Sequence, residues 1–193
     1  MNIKQNILKK INLLKITDFE MKIKNILITG KPRCGKTTLI KQLVKELNIP
    51  ASGFFTEEII ENGERTGFKI VSLSGKEGLL AKKEIYSKFK VSKYGVVLDA
   101  LEEIGIKEVE KGLQSHALIV IDEIGSMELF SKKFKKIALK ALDSDCKVLG
   151  TITIKSDPFC DMIKQRKDIK VFFLQRENFD ELKKEIKKKV TLI

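Results

Sequence analysis

Apolar positions along the chain alternate between two rhythms. Compact aliphatic runs at Ile23–Thr29, Ala117–Ile121, Val148–Ile154 and Val171–Leu174 predict buried strands. Between them, apolar residues recur at helical spacing. Leu39, Ile40, Leu43, Val44 and Leu47 share one face of a helix over 36–47, which Asn48 and Pro50 stop. Phe134, Ala138, Ala141 and Leu142 do the same over 131–142, and further helices are predicted near 159–167 and 177–189. Residues 96–113 read as helical with a break near Gly105. Two β-leaning runs, Gly53–Ile60 and Thr66–Leu73, are joined by Glu61-Asn62-Gly63-Glu64, where the Asn-Gly step predicts a hairpin turn. This order of elements predicts an α/β domain with a mainly parallel sheet over residues 21–193.

Residues 1–20 stand apart as an N-terminal extension. Ile3, Ile7, Ile11 and Leu14 give them a short amphipathic helical pattern with lysines around it. The extension reads either as an accessory helix or as sequence upstream of a true start at Met21. Its lysines interrupt any signal-peptide core. No run in the chain approaches the roughly 18 apolar residues of a membrane span, so no membrane partner is expected.

Composition narrows the classes further. The 193 residues carry 38 Lys+Arg against 26 Asp+Glu, a net charge of +12, which points to an anionic partner. Only four of the cations are arginines (Arg33, Arg65, Arg166 and Arg176), fewer than a nucleic-acid reader usually deploys. Much of the excess sits on predicted helices as lysine faces, so nucleic-acid binding is expected to be at most weak and salt-sensitive. Cys34, Cys146 and Cys160 are too widely spaced for a disulfide framework or a CxxC metal pair, and His116 is the only histidine. A reduced, cytoplasmic setting follows. His116, directly before a strand, reads as a turn residue.

The chemistry concentrates in two places. Gly30-Lys31-Pro32-Arg33-Cys34-Gly35-Lys36-Thr37 matches GxxxxGK[ST] between a predicted strand and a predicted helix. In such a loop the glycines let successive backbone N–H groups turn inward as an anion nest at a helix N-terminus. Lys36 then reaches the β- and γ-phosphates of a nucleoside triphosphate, and the Thr37 hydroxyl ligates Mg²⁺. The second place is the buried run ending in Asp122-Glu123. Asp122 is placed to hold the Mg²⁺ shell, and Glu123 to polarise a water attacking the γ-phosphate.

Three function classes remain: acceptor-free hydrolysis, a switch ATPase acting on a nucleic-acid or protein partner, and a small-molecule or nucleoside kinase with the hairpin in its acceptor pocket. Hydrolysis is favoured. No Asn-Lys-x-Asp guanine reader is present, four arginines make an Arg-rich kinase lid hard to build, and the adjacent acidic pair suits water activation.

Beyond the loop, the chain carries Gly53-Phe54-Phe55-Thr56-Glu57-Glu58, Asn62-Gly63-Glu64-Arg65-Thr66-Gly67-Phe68, Ser92-Lys93-Tyr94-Gly95-Val96 and Ile121-Asp122-Glu123-Ile124-Gly125-Ser126-Met127-Glu128-Leu129. With these segments it resembles, from about Lys22 to the C-terminus, the thermophile P-loop nucleoside-triphosphatase family, whose vertebrate members are called cancer-related nucleoside-triphosphatase. The resemblance implies a P-loop NTPase fold: a RecA-like, mainly parallel sheet with helices on both faces and an inserted β-hairpin. It implies Mg²⁺-dependent hydrolysis of ATP, GTP and other nucleoside triphosphates with modest base discrimination. The implied nucleotide-contact segments are Gly30–Thr37 and Leu118-Ile119-Val120-Ile121-Asp122-Glu123-Ile124-Gly125. Two departures stand out: Arg33-Cys34 where many members carry small or aliphatic residues, and Phe179 where relatives commonly have Arg.

Supporting roles each have a plainer alternative. Thr153, at the end of the strand after the acidic one, reads as a γ-phosphate sensor or simply as a β-former. Arg166 is the candidate transition-state cation, with a surface arginine as the alternative. Glu128 is a water- or metal-orienting carboxylate or a loop residue, and Arg65 by the hairpin turn is expected to be solvated. Cys34 in the phosphate loop is expected to be a reactive thiol whose alkylation blocks hydrolysis.

Overall fold

This computed structural model describes residues 23–192, so the extension over residues 1–20 lies outside the described residues. Five strands run parallel through the centre: β1 (Asn25–Thr29), β2 (Ala51–Glu61), β7 (Leu118–Ile124), β8 (Val148–Ile152) and β9 (Ile169–Phe173), in the spatial order β2-β7-β8-β1-β9. Every residue of β1 and β8 is buried, as expected of parallel strands covered on both faces.

Alternation along those strands divides the core in two. Ile26, Ile28, Val120 and Leu149 point to one face, where α1 (Lys36–Leu47) supplies Leu39, Ile40 and Leu43, and α5 (Phe179–Leu192) supplies Leu182, Ile186 and Val190. Leu27, Ile119 and Ile121 point to the other face. There they meet α2 (Lys107–Gln114), α3 (Lys132–Asp143) and α4 (Pro158–Lys164) through Val109, Phe134, Ile137 and Ile163. Helix α3 starts where the Ser131 hydroxyl accepts from the Phe134 N–H at 3.1 Å. Helix α4 starts on Asp157, whose carboxylate accepts from the Phe159 and Cys160 N–H groups, with Pro158 in its first turn. The break expected near Gly105 is a wide turn of π-type over Leu101–Ile106, leading directly into α2.

The sheet is larger than the aliphatic runs announced. Strand β2 continues through Asn62 and Gly63, both at positive φ, into β3 (Glu64–Ser72), which is the expected hairpin. Beyond it, β4 (Glu77–Lys82), β6 (Tyr94–Val96) and β5 (Lys90–Val91) extend an antiparallel wing to make nine strands among the described residues. The helices lie on both faces of this mixed sheet, as expected, and the inserted hairpin is the inner half of the wing. Strands β4 to β6 are only two to six residues long, too short to carry a period of their own.

At the N-terminal edge of the parallel strands, Asn25 acts as a buried clasp. Its amide donates to the Leu142 carbonyl at 3.1 Å and to Asp168 at 3.0 Å, and its oxygen accepts from the Val148 N–H at 3.1 Å. Arg166 belongs to the same clasp: it pairs with Asp168 at 2.9 Å and Asp143 at 2.6 Å.

Phe134 is fully buried and meets Phe54 edge-on with centroids 6.1 Å apart, joining α3 to the sheet. Phe134→Ala is expected to lower the unfolding free energy by about 3–5 kcal/mol. Chemical denaturation followed by circular dichroism measures this in a chain without tryptophan. A loss below about 1 kcal/mol would show that α3 does not rest on this contact.

Candidate active site

The loop between β1 and α1 closes over the C-terminal edge of the parallel strands. Gly35, at φ 102°, holds a left-handed conformation immediately before α1 and turns the loop into the helix. A side chain at Gly30 would place its Cβ 2.5 Å from the Leu174 carbonyl oxygen, so only glycine lets the loop pass this close to the end of β9. The Lys36 ammonium folds back over the loop and donates to the carbonyls of Gly30 at 3.3 Å and Lys31 at 3.4 Å. These contacts hold the ammonium against the loop backbone.

Opposite the loop, strand β7 delivers Asp122 in a buried position, only 1% exposed. The Thr151 hydroxyl on β8 donates to its Oδ1, while Oδ2 is buried with no hydrogen-bond partner among the described residues. Burial pushes the Asp122 carboxyl above its ordinary range, and the Thr151 and Thr37 hydroxyls and the Lys36 ammonium moderate that rise. Glu123 is also raised by burial, with Lys36 opposing and Asp122 reinforcing the shift. Glu128, in the short helical turn Glu128–Phe130, is 3% exposed and accepts from the Thr56 hydroxyl at 3.4 Å. Desolvation first, and the Glu123 and Asp122 charges after it, push its pKa up to about 8. Three carboxyl groups thus share one weakly solvated corner near the Lys36 ammonium.

These groups line a cavity of about 670 Å³. Gly30, Pro32, Arg33, Gly35, Lys36 and Thr37 form one wall, and Asp122, Glu123, Gly125 and Glu128 another. Thr153 joins them just beyond β8; its backbone N–H donates to Ile124 at 3.1 Å, and its hydroxyl accepts from the Lys155 N–H at 3.2 Å. Several expected residues are placed differently. Leu118, Ile119, Val120, Ile121 and Ile124 do not line the cavity; they are buried in the two cores and serve to hold Asp122 in place. Lys31 and Cys34 are likewise outside the lining. The half-buried Cys34 side chain packs on the apolar cluster under α1 and α5, so it does not present a thiol to the nucleotide side of the loop. Arg166 is corrected outright: it sits before β9, at the strand ends opposite the phosphate loop, and its guanidinium is engaged by Asp143 and Asp168.

The wing supplies a third wall that sequence reasoning missed. Thr56, Glu57 and Glu58 of β2, Arg65 and Phe68 of β3, and Ser92, Lys93 and Tyr94 face the cavity. Arg65 is not the solvated turn residue expected. Its Nε donates to the Tyr94 hydroxyl at 3.2 Å, and its guanidinium lies 5.1 Å from the Phe68 ring centre. Only the register of β2 with β3, and of the wing with β7, brings these residues to the phosphate loop. The one local hint was the alternation around the Asn-Gly turn. Phe179 reaches the loop from α5, its ring 3.4 Å from where a Gly35 Cβ would lie.

A lysine-bearing glycine loop after β1 and a buried aspartate on β7, with β8 between the two strands, define the architecture as that of a P-loop NTPase. Residues 25–187 match the NTPase protein family, and the chain belongs to it. Nucleoside-triphosphatase THEP1 from Thermotoga sp. (strain RQ2) is 50% identical over 161 residues, 83% of this chain and 92% of that protein. The crystal structure of THEP1 from the hyperthermophile Aquifex aeolicus superimposes with a TM-score of 0.78 at 37% identity, covering 84% of this chain and 96% of that one. The solution structure of a human cancer-related nucleoside triphosphatase gives 0.73 at 34% identity, covering 84% and 95%.

The raised Glu128 carboxyl has a sign that can be measured. Below pH 4.5 the group is protonated in both folded and unfolded chains. As pH rises toward about 8 the unfolded chain releases this proton while the folded one keeps it, so stability falls with rising pH. Glu128→Gln, neutral throughout, is expected to flatten that fall by on the order of a few kcal/mol between roughly pH 5 and 9. Denaturation curves of both proteins across that range test it, and parallel pH profiles would show that Glu128 is not held in its protonated form.

Proposed function

We propose that this enzyme hydrolyses nucleoside 5′-triphosphates, ATP and GTP among them, to nucleoside diphosphate and phosphate, with Mg²⁺, without an acceptor and with broad base tolerance. The observation that carries this reading is the placement of Glu123 and Asp122 across one cavity from the Lys36 cradle. A hard divalent cation suits the residues present: Asp122 Oδ2 is a buried acceptor without a partner among the described residues, Thr37 is a neighbouring hydroxyl, and both are oxygen donors. Thr37 and Asp122 are therefore the proposed holders of Mg²⁺. When bound, Mg²⁺ neutralises phosphate charge as it moves onto the leaving diphosphate.

The protein's own groups carry the rest. The loop N–H groups and Lys36 grip the β- and γ-phosphates, with the ammonium exchanging its two loop carbonyls for phosphate oxygens. Glu123 accepts a proton from water as the water oxygen bonds to the γ-phosphorus and the bond to the diphosphate oxygen breaks. A carboxylate with raised proton affinity suits that task near neutral pH better than an ordinary one. Glu128 orients that water or Glu123 itself, and Thr153 senses the γ-phosphate from the end of β8. A cytoplasmic, reducing setting suits three free cysteines, two of them buried. No helix among the described residues is long and apolar enough to cross a membrane.

Purified protein with Mg²⁺ and each of several nucleoside triphosphates should release phosphate steadily with no acceptor added. Turnover that appears only with nucleic acid or a protein partner, or phosphate transfer to an added nucleoside, would replace this reading. Glu123→Gln is expected to lower kcat by about 10²- to 10⁴-fold while leaving the affinity for a non-hydrolysable triphosphate within a few-fold. Lys36→Ala is expected to lose about 10- to 100-fold in triphosphate affinity as well as rate. A fully active Glu123→Gln variant would remove the base assignment.

A further inference from the structure

The cavity needs a cation that can follow charge onto the transferred phosphoryl group, and the arginine count leaves few candidates. Arg166 is engaged at the far edge of the sheet, and Arg176 is absent from the cavity lining. Arg33 and Arg65 alone among the four arginines line the cavity. Arg33 belongs to the phosphate loop and is largely exposed, whereas Arg65 is oriented on three sides. The Tyr94 hydroxyl holds its Nε, the Phe68 and Tyr94 rings lie 5.1 and 5.8 Å from its guanidinium, and Glu58 pairs with its Nη1.

Glu58 engages both arginines, since its other oxygen lies 3.6 Å from Arg33. One carboxylate therefore bridges the phosphate loop and the wing across the cavity mouth. The pairs are solvent-accessible, with Glu58 34% and Arg33 64% exposed, so exchanging them for another anion carries little penalty. A γ-phosphate seated in the loop presents more charge and three oxygens to the same guanidinium groups, a geometry arginine matches with paired N–H donors.

We propose that Arg65 is the catalytic arginine of this enzyme. Glu58 holds it beside the phosphate loop, and it transfers to the γ-phosphoryl oxygens when triphosphate binds. The inference rests on the hydrolytic reading above. No bond to Arg65 forms or breaks: its charge offsets the negative charge shared between the phosphoryl group and the leaving diphosphate oxygen.

The test compares wild type with Arg65→Ala, Arg65→Lys and Arg65→Gln, the last two keeping a long stem over Phe68 so that the wing stays packed. Three quantities are read: kcat without acceptor, affinity for a non-hydrolysable triphosphate, and capture of nucleoside diphosphate with Mg²⁺ and aluminium fluoride, which mimics the phosphoryl group in transfer. Arg65→Ala and Arg65→Gln are expected to lose about 10³-fold or more in kcat and to fail in capture, with triphosphate affinity changed less than about fivefold. Arg65→Lys should retain a small part of both, since it keeps the charge without the paired donors. The proposal is overturned if folded Arg65→Gln keeps kcat within about threefold of wild type, or if its capture is undiminished. It is equally overturned if the loss in kcat is matched by an equal loss in triphosphate affinity. Were wild type to show no acceptor-free turnover, the hydrolytic reading would fall, while capture by wild type and Arg65→Gln would still report on Arg65 by itself.

Discussion

Three carboxyl groups crowded into a poorly solvated corner, with the Lys36 ammonium nearby, set the terms for the rest of this molecule. Asp122, Glu123 and Glu128 all bind protons more tightly than free carboxyls, because burial disfavours ionisation of each and neighbouring carboxylate charge adds to it at Glu123 and Glu128. Such a corner is electrostatically unfavourable in the isolated protein. Asp122 shows this most plainly, with one oxygen satisfied by Thr151 and the other buried without a partner among the described residues. The two apolar cores flanking the sheet supply the stability that tolerates this arrangement.

The fold keeps that corner away from its own fastening. Asn25, Asp168, Asp143 and Arg166 close the N-terminal ends of β1, β8 and β9, where Arg166 pairs with both aspartates. The opposite ends carry the loop, the acidic pair and Thr153, where polar groups are only loosely satisfied. Parallel strands make this separation natural, since their C-terminal ends all open on one edge. The antiparallel wing then folds over that edge and contributes the third wall, with Glu58 and Arg65 positioned by the β2–β3 register.

Much of the architecture was readable from local pattern. The aliphatic runs of β1, β7 and β8 and the apolar faces of α1 and α3 are each specified within a short window, because burial on both faces demands continuous hydrophobicity and burial on one demands helical spacing. The loop Gly30–Thr37 and the pair Asp122-Glu123 were legible for a similar reason: a tight phosphate cradle and a strand-end carboxylate need particular residues at fixed separations. Arg166 lies just past the end of α4, and in sequence an arginine there looks the same whether it faces substrate or two aspartates. Arg65 and Tyr94 were obscure because they are 29 residues apart and meet only through strand pairing.

The sequence by itself determined the parallel core, the phosphate loop and the identity of the acidic pair, since each depends on neighbours within about a dozen residues. Tertiary structure alone decided which arginine faces the cavity, which carboxyls are desolvated and where Cys34 points. Those properties come from distant segments packing together, and the energy of a buried charge depends on everything around it. The same Glu128 would be an ordinary carboxylate on a loop; against Thr56 and Glu123 it holds its proton to about pH 8.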